Sequence, residues 1–342
     1  MTTNMSLNRT QKYLDNLWYL GKNFLETEYP IMAGAMSWIS EHNLISAISK
    51  AGAFGILACG SMSPELLSLE ILRTKKKTQK TFGVNLITMH PQINDLIEVC
   101  RDYDVSHIVL AGGLPSTHII KKVKEFAKVI CFAPALVIAK KLIKSGVDSL
   151  IIEGNEAGGH IGPVSLMVLV QEILPQFHNI PIFCAGGIAR GEPLITLLES
   201  GAAGIQIGTR LVCAKECIAH TNFKKAFIRA NARDAIPTIQ VDSQFPVIPV
   251  RALANKGTEK FLKTQSNMIE KFRSGEISYI NAHLEIEKFW AGSLRNAVID
   301  GDVENGSVMA GQSVGLVKKE QSVADIINEL IDQAKTFISN RF

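Results

Sequence analysis

From about residue 30 the chain repeats one pattern: a short run of apolar, β-favouring residues, a small-residue turn, then apolar positions three and four apart ending near a glycine. Residues 30–33, 54–58, 82–86, 107–110, 129–132, 149–152, 181–184 and 204–207 are the predicted strands. Between them Leu44, Ala47, Ile48 and Ala51 mark one helix face, and Ala139, Leu142 and Ile143 another. Gly52, Gly146 and Gly201 stand where those helices should stop, since a helix commonly ends on a left-handed residue. Apolar runs separated by helices predict strands covered on both faces, hence a parallel sheet. Repeats of roughly 20 to 28 residues, eight in about 185, favour a TIM (β/α)8 barrel over a doubly wound sheet.

Past residue 215 the rhythm breaks. Residues 220–290 carry more charge and helical spacing through Phe261, Met268, Ile269 and Phe272, which predicts a C-terminal helical subdomain or lid beside the barrel mouth. The expected organisation is a barrel of residues 25–218 plus 300–340 and a helical substrate or lid unit of 219–299. Residues 301–312 form a small-residue loop too elaborate for a linker. A final helix, about Val323 to Ser339, places Ile326, Ile327, Leu330, Ile331 and Ala334 on one face, ready to dock on the barrel.

Composition narrows the class more than the chemistry. The 342 residues are 46% hydrophobic and 20% charged, with a net charge of +4, and no apolar run reaches the ~18 residues of a bilayer span. A membrane role and nucleic-acid binding are therefore not expected, and the opening residues, lacking a signal or transit pattern, suggest a cytoplasmic protein. The lysine clusters around Lys75–Lys77 and Lys121–Lys124 fall on amphipathic helices and read as solvated faces. Six scattered cysteines without a C-x-x-C pair read as reduced core thiols.

The stretch from Glu153 to Gly162 carries the chemistry. Gly158 and Gly159 follow the sixth strand pattern, so the backbone can lie against a planar ligand while His160 exchanges a proton near neutral pH. A second pair, Gly186 and Gly187, follows the seventh strand, and Gly208 with Thr209 follows the eighth. In barrels those two loops commonly hold a phosphate on backbone amides, and the Thr209 hydroxyl adds a donor. His90, His118 and His220 lack such settings, and no spacing suggests a metal site.

The runs Tyr29 to Met36, Ala47 to Gly55, Phe82 to Asn85, Glu153 to Gly162, Ala185 to Ile188 and Gln206 to Thr209 together resemble the nitronate monooxygenase superfamily of FMN-dependent barrels, from about residue 25 to 335. Residues 301–317 most resemble FabK-type enoyl-ACP reductases, and Ile161 stands where nitronate oxidisers often carry arginine. The resemblance implies an FMN-dependent oxidoreductase of fatty acid synthesis, with NADH or NADPH as co-substrate and a small-molecule or acyl-carrier-protein-linked substrate; a homodimer is compatible with it. It implies that Gly34, Ala35 and Met36 lie along the flavin, and that Asn85 and Glu153 meet its polar edge or ribityl chain. Gly186, Gly187, Gly208 and Thr209 would hold the phosphate, Met309, Gly311 and Gln312 would close over the ring, and His160 would give or orient the proton. Ala35, Ala53-Phe54 and Ala111-Gly112-Gly113 depart from the reductase pattern. The alternatives are a nitronate monooxygenase, an NADH:quinone reductase and, outside catalysis, a barrel that binds a phosphorylated metabolite.

Overall fold

The apolar runs become strands because each has helices to bury it from outside and a packed interior to bury it from within. The computed structural model describes residues 2–341, with side chains for 9–341. The barrel strands are β1 (Ile31–Ala33), β2 (Gly55–Ala58), β3 (Phe82–Ile87), β4 (His107–Ala111), β5 (Lys128–Phe132), β6 (Ser149–Glu153), β8 (Ile182–Ala185) and β9 (Gly204–Ile207). All pair in parallel, in the order β1-β9-β8-β6-β5-β4-β3-β2. A bridge between Met32 and Phe54 closes the ring, with Phe54 N–H donating to Ile31 O and Ala33 N–H to Phe54 O, both at 2.8 Å. The fold is therefore the expected (β/α)8 barrel.

Alternation along each strand divides the core in two. Met32, Phe54, Ile56, Val109, Ile130, Ile151 and Phe183 pack inside the barrel, whereas Ile31, Leu57, Val84, Leu110, Ile152 and Ile205 pack outward against helices such as His42–Lys50 and Gly191–Glu199. Gly52, Gly146 and Gly201 end their helices at φ of 82°, 94° and 101°, conformations that cost a Cβ-bearing residue strain. The final helix runs Val323–Ser339 and lies so close to Gly191 that any Cβ there would strike the Leu330 carbonyl. All six cysteines are buried and free, and burial raises Cys59, Cys131 and Cys184 to about 12, with the charge of Asp148 adding to it at Cys131.

Two parts go beyond the sequence pattern. Helices Thr2–Leu17 and Tyr19–Leu25 precede the barrel, and the second seals its amino end: Phe24 and Leu25 pack on the interior cluster, and Phe24 O sits 2.8 Å from His107 Nε2. The stretch expected to be helical does contain the long helices Lys256–Arg273 and Tyr279–Val298. It also contains β10 (Ala235–Pro237) and β11 (Val250–Leu253), which join the two-residue β7 (Gly159–His160) in an antiparallel sheet. Phe245, Phe261, Met268, Ile269, Ile286 and Trp290 give this cover its own apolar core, with Phe261 stacked on Trp290 at 4.1 Å. No helix among the described residues is long and apolar enough to cross a membrane.

Candidate active site

The carboxyl end of the barrel presents its inward positions as a polar rim. Ile151 faces inward, so Glu153, two residues on, shares that face; Ile205 and Ile207 face the helices, so Gln206 faces the interior. Register sets Glu153 beside Ala185 and Ala185 beside Gln206. Among the described residues neither the Glu153 carboxyl nor the Gln206 amide has a side-chain hydrogen-bond partner. Burial pushes the Glu153 carboxyl up to about 8, so it is largely neutral at pH 7. Asn85 lies across the ring on β3 and donates from Nδ2 to Val109 O at 3.2 Å.

The glycine loops converge over this rim. Gly34 N–H donates to Ile207 O at 2.8 Å, and the Ser40 hydroxyl pins the same turn by accepting from Met36 N–H and donating to Gly34 O. Ala35 lies between them, half-buried beside the interior cluster. A Cβ on Gly208 would come within 3.5 Å of Met36 Sδ, so the loops after β1 and β9 touch. Gly186 and Gly187 turn at φ of 102° and 72°, and a Cβ on Gly186 would press on the Gly154 carbonyl at 2.9 Å. The Thr209 hydroxyl accepts from Gly311 N–H at 3.0 Å, which leaves its own proton to donate.

Residues 308–312 lie along the cover and against the loop after β6. Ala252 and Met309 form a bridge, Gln312 N–H donates to Glu156 O at 2.9 Å, and Gly158 packs so tightly on Gly311 that neither tolerates a Cβ. Met309 Sδ lies 3.7 Å from where a Cβ of Gly159 would stand. The structure thus brings together Gly34, Met36 and Gly208, and separately Gly158, Gly159, Thr209, Met309, Gly311 and Gln312. No side-chain hydrogen bond among the described residues joins Asn85 or His160 to either group.

His160 is held from the cover. Its backbone pairs with Val250 on β11, and Gly159 before it needs a φ of 79°. Its Nε2 stands 3.3 and 3.2 Å from the two carboxylate oxygens of Glu287, on helix Tyr279–Val298. Burial pushes the Glu287 carboxyl up, but the hydrogen bond and charge of His160, with the charge of His283, outweigh it and leave it below the usual carboxylate range. Next to His160 in the ladder, Arg251 is committed to carbonyls: Nε donates to Asn155 O at 3.0 Å and Nη1 to Ala235 O at 2.6 Å. Neither Glu287 nor Arg251 carries a local motif; what places them at the site is strand and helix pairing across about a hundred residues of chain.

One metal-capable group occurs among the described residues: Glu41, His42 and Glu70, with ligand atoms within 4.8 Å of one another. Its carboxylates are already occupied, Glu41 accepting from Asn43 and Leu44 N–H at the start of helix His42–Lys50, and Glu70 from His42 N–H and Arg73. It is a helix cap tied to the neighbouring helix. His220 likewise caps helix Thr221–Arg229.

The family model for nitronate monooxygenase matches residues 20–103 and 93–333. The structure is similar to FabK from Thermotoga maritima, with a TM-score of 0.82, 34% identity, and coverage of 94% of this chain and 97% of that one. A (3aS,4S,5R,7aS)-5-hydroxy-7a-methyl-1-oxo-octahydro-1H-indene-4-carboxyl-CoA dehydrogenase of Mycobacterium tuberculosis is 28% identical across 91% of this chain and 94% of its own length. A probable nitronate monooxygenase of Staphylococcus saprophyticus is 26% identical across 69% of this chain and 78% of its own.

Proposed function

The chain belongs to the nitronate monooxygenase family of FMN-dependent oxidoreductases, and from that premise we propose that it is an enoyl thioester reductase of the FabK type, using NADH or NADPH on an acyl-carrier-linked substrate. The likeness to the Thermotoga FabK along nearly the whole chain carries this reading. It is supported at the site by Arg251, whose Nε and Nη1 donate to the backbone carbonyls of Asn155 and Ala235 rather than to a substrate anion such as a nitronate.

The residues at the rim fit FMN. Two polar side chains without partners, Glu153 and Gln206, face the mouth where a polar ligand edge would satisfy them. Gly186, Gly187, Gly208 and Thr209 would hold the phosphate on backbone N–H groups and one hydroxyl. Gly34, Ala35 and Met36 would line one side of the ring, Asn85 its far polar edge, and Gly158, Met309, Gly311 and Gln312 the cover. When bound, the flavin supplies hydride transfer between the nicotinamide and the β-carbon of the thioester. His160 then gives a proton to the α-carbon, and the neutral Glu153 carboxyl can donate a hydrogen bond where an ionised one could only accept.

A visible spectrum of the purified protein, followed by anaerobic mixing with NADH and crotonyl thioester, tests this. Flavin bleaching by NADH and its recovery on adding the thioester are expected. Bleaching by an alkyl nitronate alone would instead favour nitronate oxidation, the reading that the Staphylococcus relative and the family model support. Protein that takes up no flavin would reject both.

A further inference from the structure

The imidazole that the barrel loop supplies is oriented by a residue the barrel does not contain. His160 is fixed along the backbone by the β7 and β11 ladder and by Ile161 N–H donating to Pro249 O at 2.9 Å. Its ring's hydrogen-bonding partner among the described side chains is Glu287, through Nε2. Glu287 is itself well anchored: its helix buries Ala282, Ile286 and Trp290 in the cover's core, and one turn later Ala291 O accepts from Trp38 Nε1 at 3.1 Å. Trp38 belongs to the loop after β1 and is held at φ of 66°, a strained conformation for a bulky residue. The turn from Glu287 to Ala291 therefore links the loop after β6 to the loop after β1. One turn earlier His283 stacks on Phe245 at 4.4 Å and adds its charge beside Glu287.

We propose that Glu287 is the positioning residue of the His160 imidazole, holding the proton on Nε2 and leaving Nδ1 as the atom that meets substrate. This rests on the reading of His160 as proton donor given under Proposed function. In the step itself the Nδ1–H bond breaks and the α-carbon–hydrogen bond forms, the electron pair coming from the carbanion that hydride addition creates. The ring is left neutral with its remaining proton on Nε2, still bonded to Glu287, and solvent restores the Nδ1 proton. Both side chains are about two-fifths exposed, and ion pairs of that exposure contribute little to stability, so removing this one perturbs orientation more than folding.

The test compares the FMN-loaded wild type with Glu287→Ala, Glu287→Gln and His160→Ala, using crotonyl thioester turnover and ¹⁵N NMR of the histidine rings. For Glu287→Ala, kcat should fall about 10- to 100-fold with KM changed by less than about threefold, as when an orienting partner of a catalytic histidine is removed. The neutral His160 ring should pass from the Nε2–H tautomer to a mixture. Glu287→Gln keeps an acceptor oxygen and should recover both the tautomer and much of the turnover. A wild-type ring found as Nδ1–H overturns the proposal whatever the variants do. So does wild-type turnover in Glu287→Ala when His160→Ala is inactive; full turnover in His160→Ala would instead overturn the role of His160 itself.

Discussion

At the amino end of the barrel His107 is fully buried, with Nε2 at 2.8 Å from Phe24 O, Nδ1 at 2.9 Å from Ser106 Oγ, and its ring edge against Phe24 and Phe54. Ser149, also inward, donates to Pro181 O at 2.8 Å. At the carboxyl end of the same cylinder Glu153 and Gln206 face inward with no such partners among the described residues. Buried polar groups in folded proteins are nearly always paired, so the amino end is finished as a core, whereas the carboxyl end keeps polar side chains free for the FMN proposed above.

The largest expected effect lies at the open end. Replacing His160 by alanine should lower thioester turnover by roughly 10² to 10⁴ while FMN stays bound, read by steady-state kinetics and flavin absorbance.

The two ends should next differ in the sign of their pH dependence. Burial depresses His107 from 6.5 to about 4. The unfolded chain takes up that proton first, so the stability is whole above pH 6.5 and is lost as the pH falls towards 4, by about 3 kcal/mol. Urea unfolding of the wild type and His107→Gln across that window should show the slope shrink in the variant. Burial raises Glu153 from 4.5 to about 8. The folded apoprotein keeps that proton longer, so its stability is whole below pH 4.5 and declines as the pH rises through 8. Glu153→Gln should flatten this alkaline decline by about 1–3 kcal/mol, the open mouth admitting some water. A common direction of drift at both ends would break the comparison.

The smallest effect belongs to the rim of the cover. Arg273 pairs with Asp242 at 2.6 Å but is well exposed, so Arg273→Ala should change unfolding free energy by less than about 1 kcal/mol.

The barrel was legible in the sequence because its signal is local. Each strand is an apolar run followed by a small-residue turn, and residues 204–207 emerge with the bounds their pattern gives. Other ends shift by a residue, as at Pro30, which lacks the N–H a ladder needs and starts one residue before β1. The cover was legible only as helices. β7 is a Gly-His pair with no strand pattern, made a strand by Val250 and Arg251 some ninety residues away. The N-terminal segment carries Thr10 and Leu14 on its first helix and Trp18 at the junction with its second, at helical spacing and all buried, within a stretch otherwise too polar to stand out. The glycines of the site were readable because positive φ and close backbone approach select glycine wherever they occur, as at Gly186 and Gly158. Glu287 was not, because an orienting carboxylate on a helix surface has the same local pattern as a solvated one.

The most direct test of a ligand-finished carboxyl end is calorimetric titration of the apoprotein with FMN and, separately, with riboflavin, which lacks the phosphate. Charged hydrogen bonds from the loops after β8 and β9 should make FMN bind at least about 10- to 100-fold more tightly. Equal affinity for the two, or binding of neither, would contradict the account.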